Sequence, residues 1–369
     1  MTERIVVKIG SSSLTSAEGG LNRQHIAYFA SELAALRQQG LDVLLVTSGA
    51  VAAGFRPIGY EARPKQLHEK QAAAAVGQAL LMQAYQEAFS RYGHVTGVAQ
   101  ILLTRADFSN QRRIQNAKMT IEELLRQGII PIINENDTVS TDELKFGDND
   151  MLSALVSNLL QAKRLIILTD TDGLYTDDPR KNPLATHIAR VEQISEDIMK
   201  IAGGAGSSVG TGGMRSKIEA ARIAMRGGVT AFIGRATEPG DVLLAAEGNG
   251  RGTYFDTHSH NLTVKKQWLG FHSQPKGAII VDAGAEDALL HGGKSLLPAG
   301  IKAIEGDFHP GDVVEVINAD RQTLGRGVVN YESSQIQAVS GLSTDEVKRR
   351  IEVSRIEVIH RDEWVTLKS

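Results

Sequence analysis

The 369-residue chain contains no cysteine. Disulfides, thiolate zinc sites, iron–sulfur clusters and cysteine nucleophiles are therefore excluded. Aromatic residues are scarce at 5%, while Ala, Leu, Ile and Val abound, a mix that suits a parallel sheet between alanine-rich helices. A charge excess is missing too. The formal net charge of −3 argues against a protein whose main task is gripping a nucleic-acid backbone. No apolar run approaches the roughly 18 residues of a membrane span. The opening MTERIVVKIG enters a strand pattern with no secretory h-region before it, and the expectation is a cytoplasmic protein.

Several familiar motifs are missing as well. No G-x-G-x-x-G follows a strand, and neither G-x-S-x-G nor H-E-x-x-H occurs. HGGKS (291–295) resembles the end of a P-loop, but Ala288 stands where the first glycine belongs. His258 and His260 lack an obvious third metal ligand.

What is present is an alternation. The β-branched runs RIVVKI (4–9), DVLLVTS (42–48), VTGVAQILL (95–103), IIPIIN (129–134), RLIILTD (164–170) and VTAFIG (229–234) read as strands. Amphipathic stretches lie between them, such as 23–39 closed by Gly40 and 69–92 closed by Gly93. Strands alternating with helices imply crossover units and a mainly parallel sheet, over residues 1–255. A polar connector, 256–275, precedes short runs rich in turn residues, which read as a small, mostly β domain at 276–369.

A parallel sheet binds its ligand beyond the carboxyl ends of its strands. KIGSSS, TSGAVAAG, NENDT and TDTDGLYTDDP all fall there. Lys8 is either a strand-end charge reaching solvent or, with Gly10 and three serines after it, part of an anion-binding turn. Ser48 is either a helix cap or part of an anion site at a helix start. Asp148, Asn149 and Asp150 lead into a helix that one of them should cap, and a D-x-D there could hold Mg²⁺ or orient a lysine. In SSVGTGGMRSKIEAA, Thr211, Gly212 and Gly213 can bring backbone N–H groups against phosphate oxygens, and Lys217 falls in the first turn of the next helix.

Together VVKIGSSSL, LLVTSGAVAAG, PIINENDTV, KFGDNDMLSALV, LTDTDGLYTDDP and GTGGMRSKIEAA resemble the glutamate 5-kinases of the amino-acid kinase superfamily. The tail containing GGKSLLPAGIKAIEGDFHPGDVVEV resembles a PUA domain. The resemblance implies an α/β three-layer sandwich around a mainly parallel sheet, plus a small PUA-like barrel. It also implies ATP-dependent phosphorylation of the γ-carboxylate of L-glutamate, the first step of L-proline synthesis, with Mg²⁺ and with proline as inhibitor. By position, Lys8, Lys217 and Asp150 match the catalytic residues, Asp150 organising the two lysines. Thr169, Asp170 and the loop Thr211, Gly212, Gly213, Met214, Arg215, Ser216 and Lys217 match the nucleotide segments, with Lys8 on the phosphate. Ser48, Asp137 and Asn149 match the glutamate contacts. A homo-oligomer, dimer or tetramer, is implied too. Two alternatives stay open: a superfamily kinase for another acceptor, such as aspartate or N-acetylglutamate, and an RNA-binding protein acting through its C-terminal domain.

Overall fold

In the first strand, β1 (Arg4–Ile9), side chains alternate between two faces of a sheet. Ile5, Val7 and Ile9 enter the large apolar cluster on one face, so Val6 and Lys8 point to the other. The computed structural model describes residues 2–16, 20–140, 149–177, 179, 181–204, 213–256, 269, 273, 275–351 and 355–367. It divides into two compact units: Met1–Asp107 with Arg112–Asn261, and Phe108–Gln111 with Leu262–Ser369.

From β1 the chain passes through a helical turn, α1 (Ser11–Leu14), into α2 (Arg23–Gln38). Asn22 caps α2, its side chain accepting from the N–H groups of Gln24 and His25. Next come β2 (Asp42–Val46), α3 (Ala50–Gly54), α4 (Leu67–Phe89), β3 (Gly97–Leu103), α5 (Arg105–Ser109), α6 (Gln111–Arg126) and β4 (Ile129–Glu135). They are followed by α7 (Asp150–Leu159), β5 (Arg164–Leu168), β6 (Leu174–Tyr175), β7 (His187–Ile188) and β8 (Arg190–Val191). The unit closes with α8 (Glu196–Gly204), α9 (Met214–Arg226), β9 (Thr230–Gly234), α10 (Asp241–Glu247) and β10 (Gly252–Phe255).

Eight of these strands form one sheet in the order β3-β4-β2-β1-β5-β9-β10-β8, parallel except between β9 and β10. Side chains of α2, α4 and α10 bury one face, and α7 and α9 pack together on the other. This is the expected three-layer arrangement. The register keeps the carboxyl ends level: Lys8 lies beside Val46 of β2 and Ile167 of β5, and Val46 beside Ile133 of β4. Polar residues that follow these strands are thereby delivered to one edge of the sheet.

Helices α3 and α4 meet where neither has a side chain. A Cβ on Gly77 would stand 1.8 Å from the Ala50 carbonyl oxygen, and one on Gly54 would stand 1.9 Å from that of Ala73. Contact this close fixes where α3 sits, and with it the Ser48–Gly49 turn. Gly49, at φ 102°, uses the left-handed region that glycine enters without strain.

The second unit contains β11 (Gly277–Val281), α11 (Ala283–Leu290), β12 (Ile301–Gly306), β13 (Val313–Ile317), β14 (Thr323–Val329), α12 (Ser333–Val339), α13 (Thr344–Arg350) and β15 (Ile359–Thr366). Its five strands order as β12-β11-β13-β14-β15, with only β11–β13 parallel, over a core that includes Phe308, Tyr331 and Trp364. HGGKS follows α11 instead of leading a helix off a strand, so it cannot act as a P-loop.

Candidate active site

Lys8 is fully buried, and its Nζ lies 2.7 Å from Oδ1 of Asp150, the first residue of α7. The other oxygen of the same carboxylate, Oδ2, lies 3.3 Å from Nζ of Lys217, in the first turn of α9. Ser216 adds its hydroxyl 2.7 Å from Oδ2. Alternation along β1 turned Lys8 toward the α7–α9 layer, and the pairing of those helices brings the other two groups to it. Burial removes the reading of Lys8 as a strand-end charge reaching solvent.

Burial by itself pushes the Asp150 carboxyl up. The charges of Lys8 and Lys217, with hydrogen bonds from Lys8 and Ser216, outweigh that and hold it below the usual carboxylate range. Two ammoniums thus share one carboxylate almost out of water, where a charge is costly unless it is paired.

A second constellation lies at the ends of β2 and β4. Asn149 occupies the N-cap position of α7, but it is left-handed (φ 59°) and its side chain caps nothing. Asn tolerates that region better than most residues. This corrects the expectation of a conventional cap. The Nδ2 of Asn149 reaches the Thr47 carbonyl at 2.6 Å, Asn134 Oδ1 at 2.7 Å and Ser48 Oγ at 3.3 Å. Ser48 likewise makes no side-chain cap for α3, whose N-cap is Gly49. An open polar pocket is lined by Ser48, Asn134, Asp137 and Asn149, together with Ser11, Glu135, Arg63 and residues 49–52. On its wall Asn149 Oδ1 and Asn134 Nδ2 are buried without a hydrogen-bond partner among the described residues. An unmatched acceptor and an unmatched donor cost about 1–3 kcal/mol each, which a ligand carrying complementary groups would return.

The remaining candidates fall at neighbouring strand and helix ends. Thr169 follows β5, its backbone N–H donating to Gly234 at 2.9 Å and its hydroxyl to exposed Asp170 at 3.1 Å. Gly213 is the N-cap of α9, with Met214 half-buried and Arg215 exposed in the first turn. Thr211, Gly212 and Asp148 lie outside the described residues. Sequence reasoning passed over Ser11, Asn134, Glu135 and Arg63. The first three sit inside quoted motifs, so strand-end position could have flagged them. Arg63 lies in a connection with no motif.

Among the described residues no group of three His, Asp or Glu side chains stands ready to hold a metal. Asp150 already has partners on both oxygens. Such a donor set fits a divalent ion held mainly by phosphate oxygens and water, the usual situation of Mg²⁺ beside a nucleotide.

With this geometry in place, the likeness to known proteins becomes informative. The profile of the amino acid kinase family matches residues 3–235, and that of the PUA domain matches 277–351. The chain is 51% identical to the glutamate 5-kinase of Geobacillus kaustophilus (strain HTA426), over 99% of this chain and 98% of that protein. It is 47% identical to the glutamate 5-kinase of Bacillus anthracis, over 99% of each. Among solved structures, carbamate kinase from Giardia lamblia bound to AMP-PNP superposes with a TM-score of 0.51 at 16% identity, covering 69% of this chain and 99% of that one. A UMP kinase from Bacillus anthracis gives 0.50 at 14% identity, covering 70% and 97%. At such low identity the two structures speak for the fold alone.

Proposed function

The chain belongs to the amino acid kinase family, and on that premise we propose that it transfers the γ-phosphoryl group of ATP to the γ-carboxylate of L-glutamate, giving L-glutamyl 5-phosphate. The observation that carries the reading is the pair of buried lysines on one carboxylate, at the sheet edge where an acid-binding pocket also opens.

The chemistry suits these residues. A glutamate side chain, with a pKa near ~4.3, is already ionised at neutral pH, so no general base is needed to create the nucleophile. The obstacle is charge. Bringing a carboxylate to about 4 Å from one phosphate charge costs roughly 4 kcal/mol at an effective dielectric of ~20. Lys8 and Lys217 are placed to offset that repulsion and the charge that develops in transfer, and Asp150 keeps them in register. Mg²⁺, carried on the nucleotide, would add positive charge against the terminal phosphates. Thr169, Asp170 and the segment from Thr211 to Lys217 would hold the nucleotide.

Ser48 and the Asn149 amide would receive glutamate, and Asp137 would take its ammonium. Two acidic side chains on the pocket wall, Glu135 and Asp137, favour an acceptor with a free amine over N-acetylglutamate. The same reading makes this the first step of proline synthesis, with proline competing for the glutamate pocket, in a cytoplasmic homo-oligomer. Its domain limits are 1–255, 256–275 and 276–369. RNA binding by the second unit is a subordinate proposal that rests on the PUA match. Salt-sensitive RNA binding by the full chain would support it.

The direct test is a panel of glutamate, aspartate, N-acetylglutamate, carbamate and UMP, read as ADP release with hydroxylamine trapping the acyl phosphate. Glutamate should dominate, with proline inhibiting. ADP release without hydroxamate would refute the proposal.

A further inference from the structure

Among the described residues on the wall of the pocket that holds Ser48, Asp137 and Asn149, only Arg63 is basic. Lys8 and Lys217 are fastened to Asp150 and are not on that wall. Arg63 lies in the connection between α3 and α4. Its backbone is restrained on the C-terminal side: Pro64 is buried and limits Arg63 to extended conformations. Two residues on, Gln66 begins α4 with a capping box to Glu69. The side chain is exposed and makes no hydrogen bond or ion pair among the described residues. A restrained backbone thus holds at the pocket an exposed arginine with no polar partner among the described residues.

The proposed acceptor has three charged groups, and two already have partners. Its γ-carboxylate must face the lysines, and its ammonium suits Asp137. The other charged side chains on the pocket wall, Glu135 and Asp137, are acidic, so Arg63 is the one positive charge there among the described residues to meet the α-carboxylate. We infer that Arg63 binds this non-reacting α-carboxylate and sets the preference for a substrate that carries it. A guanidinium fork matches a carboxylate with two parallel hydrogen bonds, which a lysine cannot reproduce. The inference rests on glutamate being the acceptor.

The test compares wild type, Arg63→Ala and Arg63→Lys on L-glutamate and on its α-amide. The amide keeps the γ-carboxylate and the ammonium but has lost the α charge. In Arg63→Ala the KM for glutamate should rise about 10–100-fold, the loss expected for hydrogen bonds to a charged group. Its kcat and its KM for ATP should stay within about threefold. Turnover of the α-amide should hardly change, so the wild-type preference for glutamate collapses, and Arg63→Lys should restore part of it. Arg63 is exposed, so both variants should fold, which circular dichroism checks. An unchanged KM for glutamate, or an equal loss on both acceptors, overturns the assignment of Arg63. Failure of wild type itself to phosphorylate glutamate would instead overturn the activity on which it rests.

Discussion

Replacing Asp150 by asparagine removes one negative charge, almost without changing volume, from between two buried ammoniums. At 2.7 and 3.3 Å the two attractions amount to about 6 and 5 kcal/mol at an effective dielectric of ~20. Most of that offsets desolvation already incurred by all three groups. The net loss on breaking a buried pair is therefore nearer ~3–5 kcal/mol, a large part of a typical ~5–15 kcal/mol of stability. The assay can be confined to the first unit. In a Trp268→Phe background the fluorescence of Trp364, buried in the core of the second unit, reports that unit in urea, while far-UV circular dichroism reports both. Asp150→Asn should lower the circular dichroism midpoint and leave the tryptophan transition in place. Adding Lys8→Met removes one of the stranded cations, and the double variant should recover about 1–3 kcal/mol relative to the sum of the single effects. A loss below about 1 kcal/mol for Asp150→Asn, or strict additivity in the cycle, would refute the account of a carboxylate holding two lysines.

Lys8→Ala should reduce turnover by about 10²–10³-fold or more, by analogy with lost oxyanion donors; a folded variant with near-normal kcat would contradict its role on the transferring phosphoryl group. Asp137→Ala should raise the KM for glutamate far more than that for ATP, and equal effects in steady-state kinetics would count against an ammonium contact. Gly77→Ala gains helix propensity yet drives a methyl to 1.8 Å from a carbonyl oxygen. It should therefore destabilise by about 1–3 kcal/mol in urea, whereas propensity alone predicts a gain of roughly 1 kcal/mol. In acid the gap between wild type and Asp150→Asn should narrow. The carboxyl is pushed up by burial but held lower still by Lys8 and Lys217. Its contribution is thus full above the unfolded value near ~4 and lost progressively as pH falls toward the folded one. A gap that widens below pH ~4 would reverse the sign and the argument.

The strand–helix alternation was readable because period and apolar content are carried by neighbouring residues. All six strands read from the sequence are present: RIVVKI matches β1 in full, IIPIIN gains Glu135, and the other four lose one or two residues at one end, among them the polar pairs Thr47–Ser48 and Thr169–Asp170. Asn149 was less legible. Its place at a helix start predicts a cap, but a left-handed turn sends its amide to Thr47, Ser48 and Asn134 instead. Arg63 gave no signal, since an arginine in a polar connection looks the same whether it faces water or a pocket.

The sequence by itself determined which residues alternate and the family to which the ordered motifs point. It also determined that Lys8 and Ile9 face opposite sides of a strand, because a pleat leaves no choice. Only the tertiary structure decided that Lys8, Asp150 and Lys217 share one ion-paired cluster. Asp150 and Lys217 are 67 residues apart, and their meeting depends on how α7 and α9 pack together. Local geometry propagates along the chain through covalent bonds and short hydrogen bonds. A contact between distant segments exists only when the intervening layers are packed, and no short window of sequence contains that information.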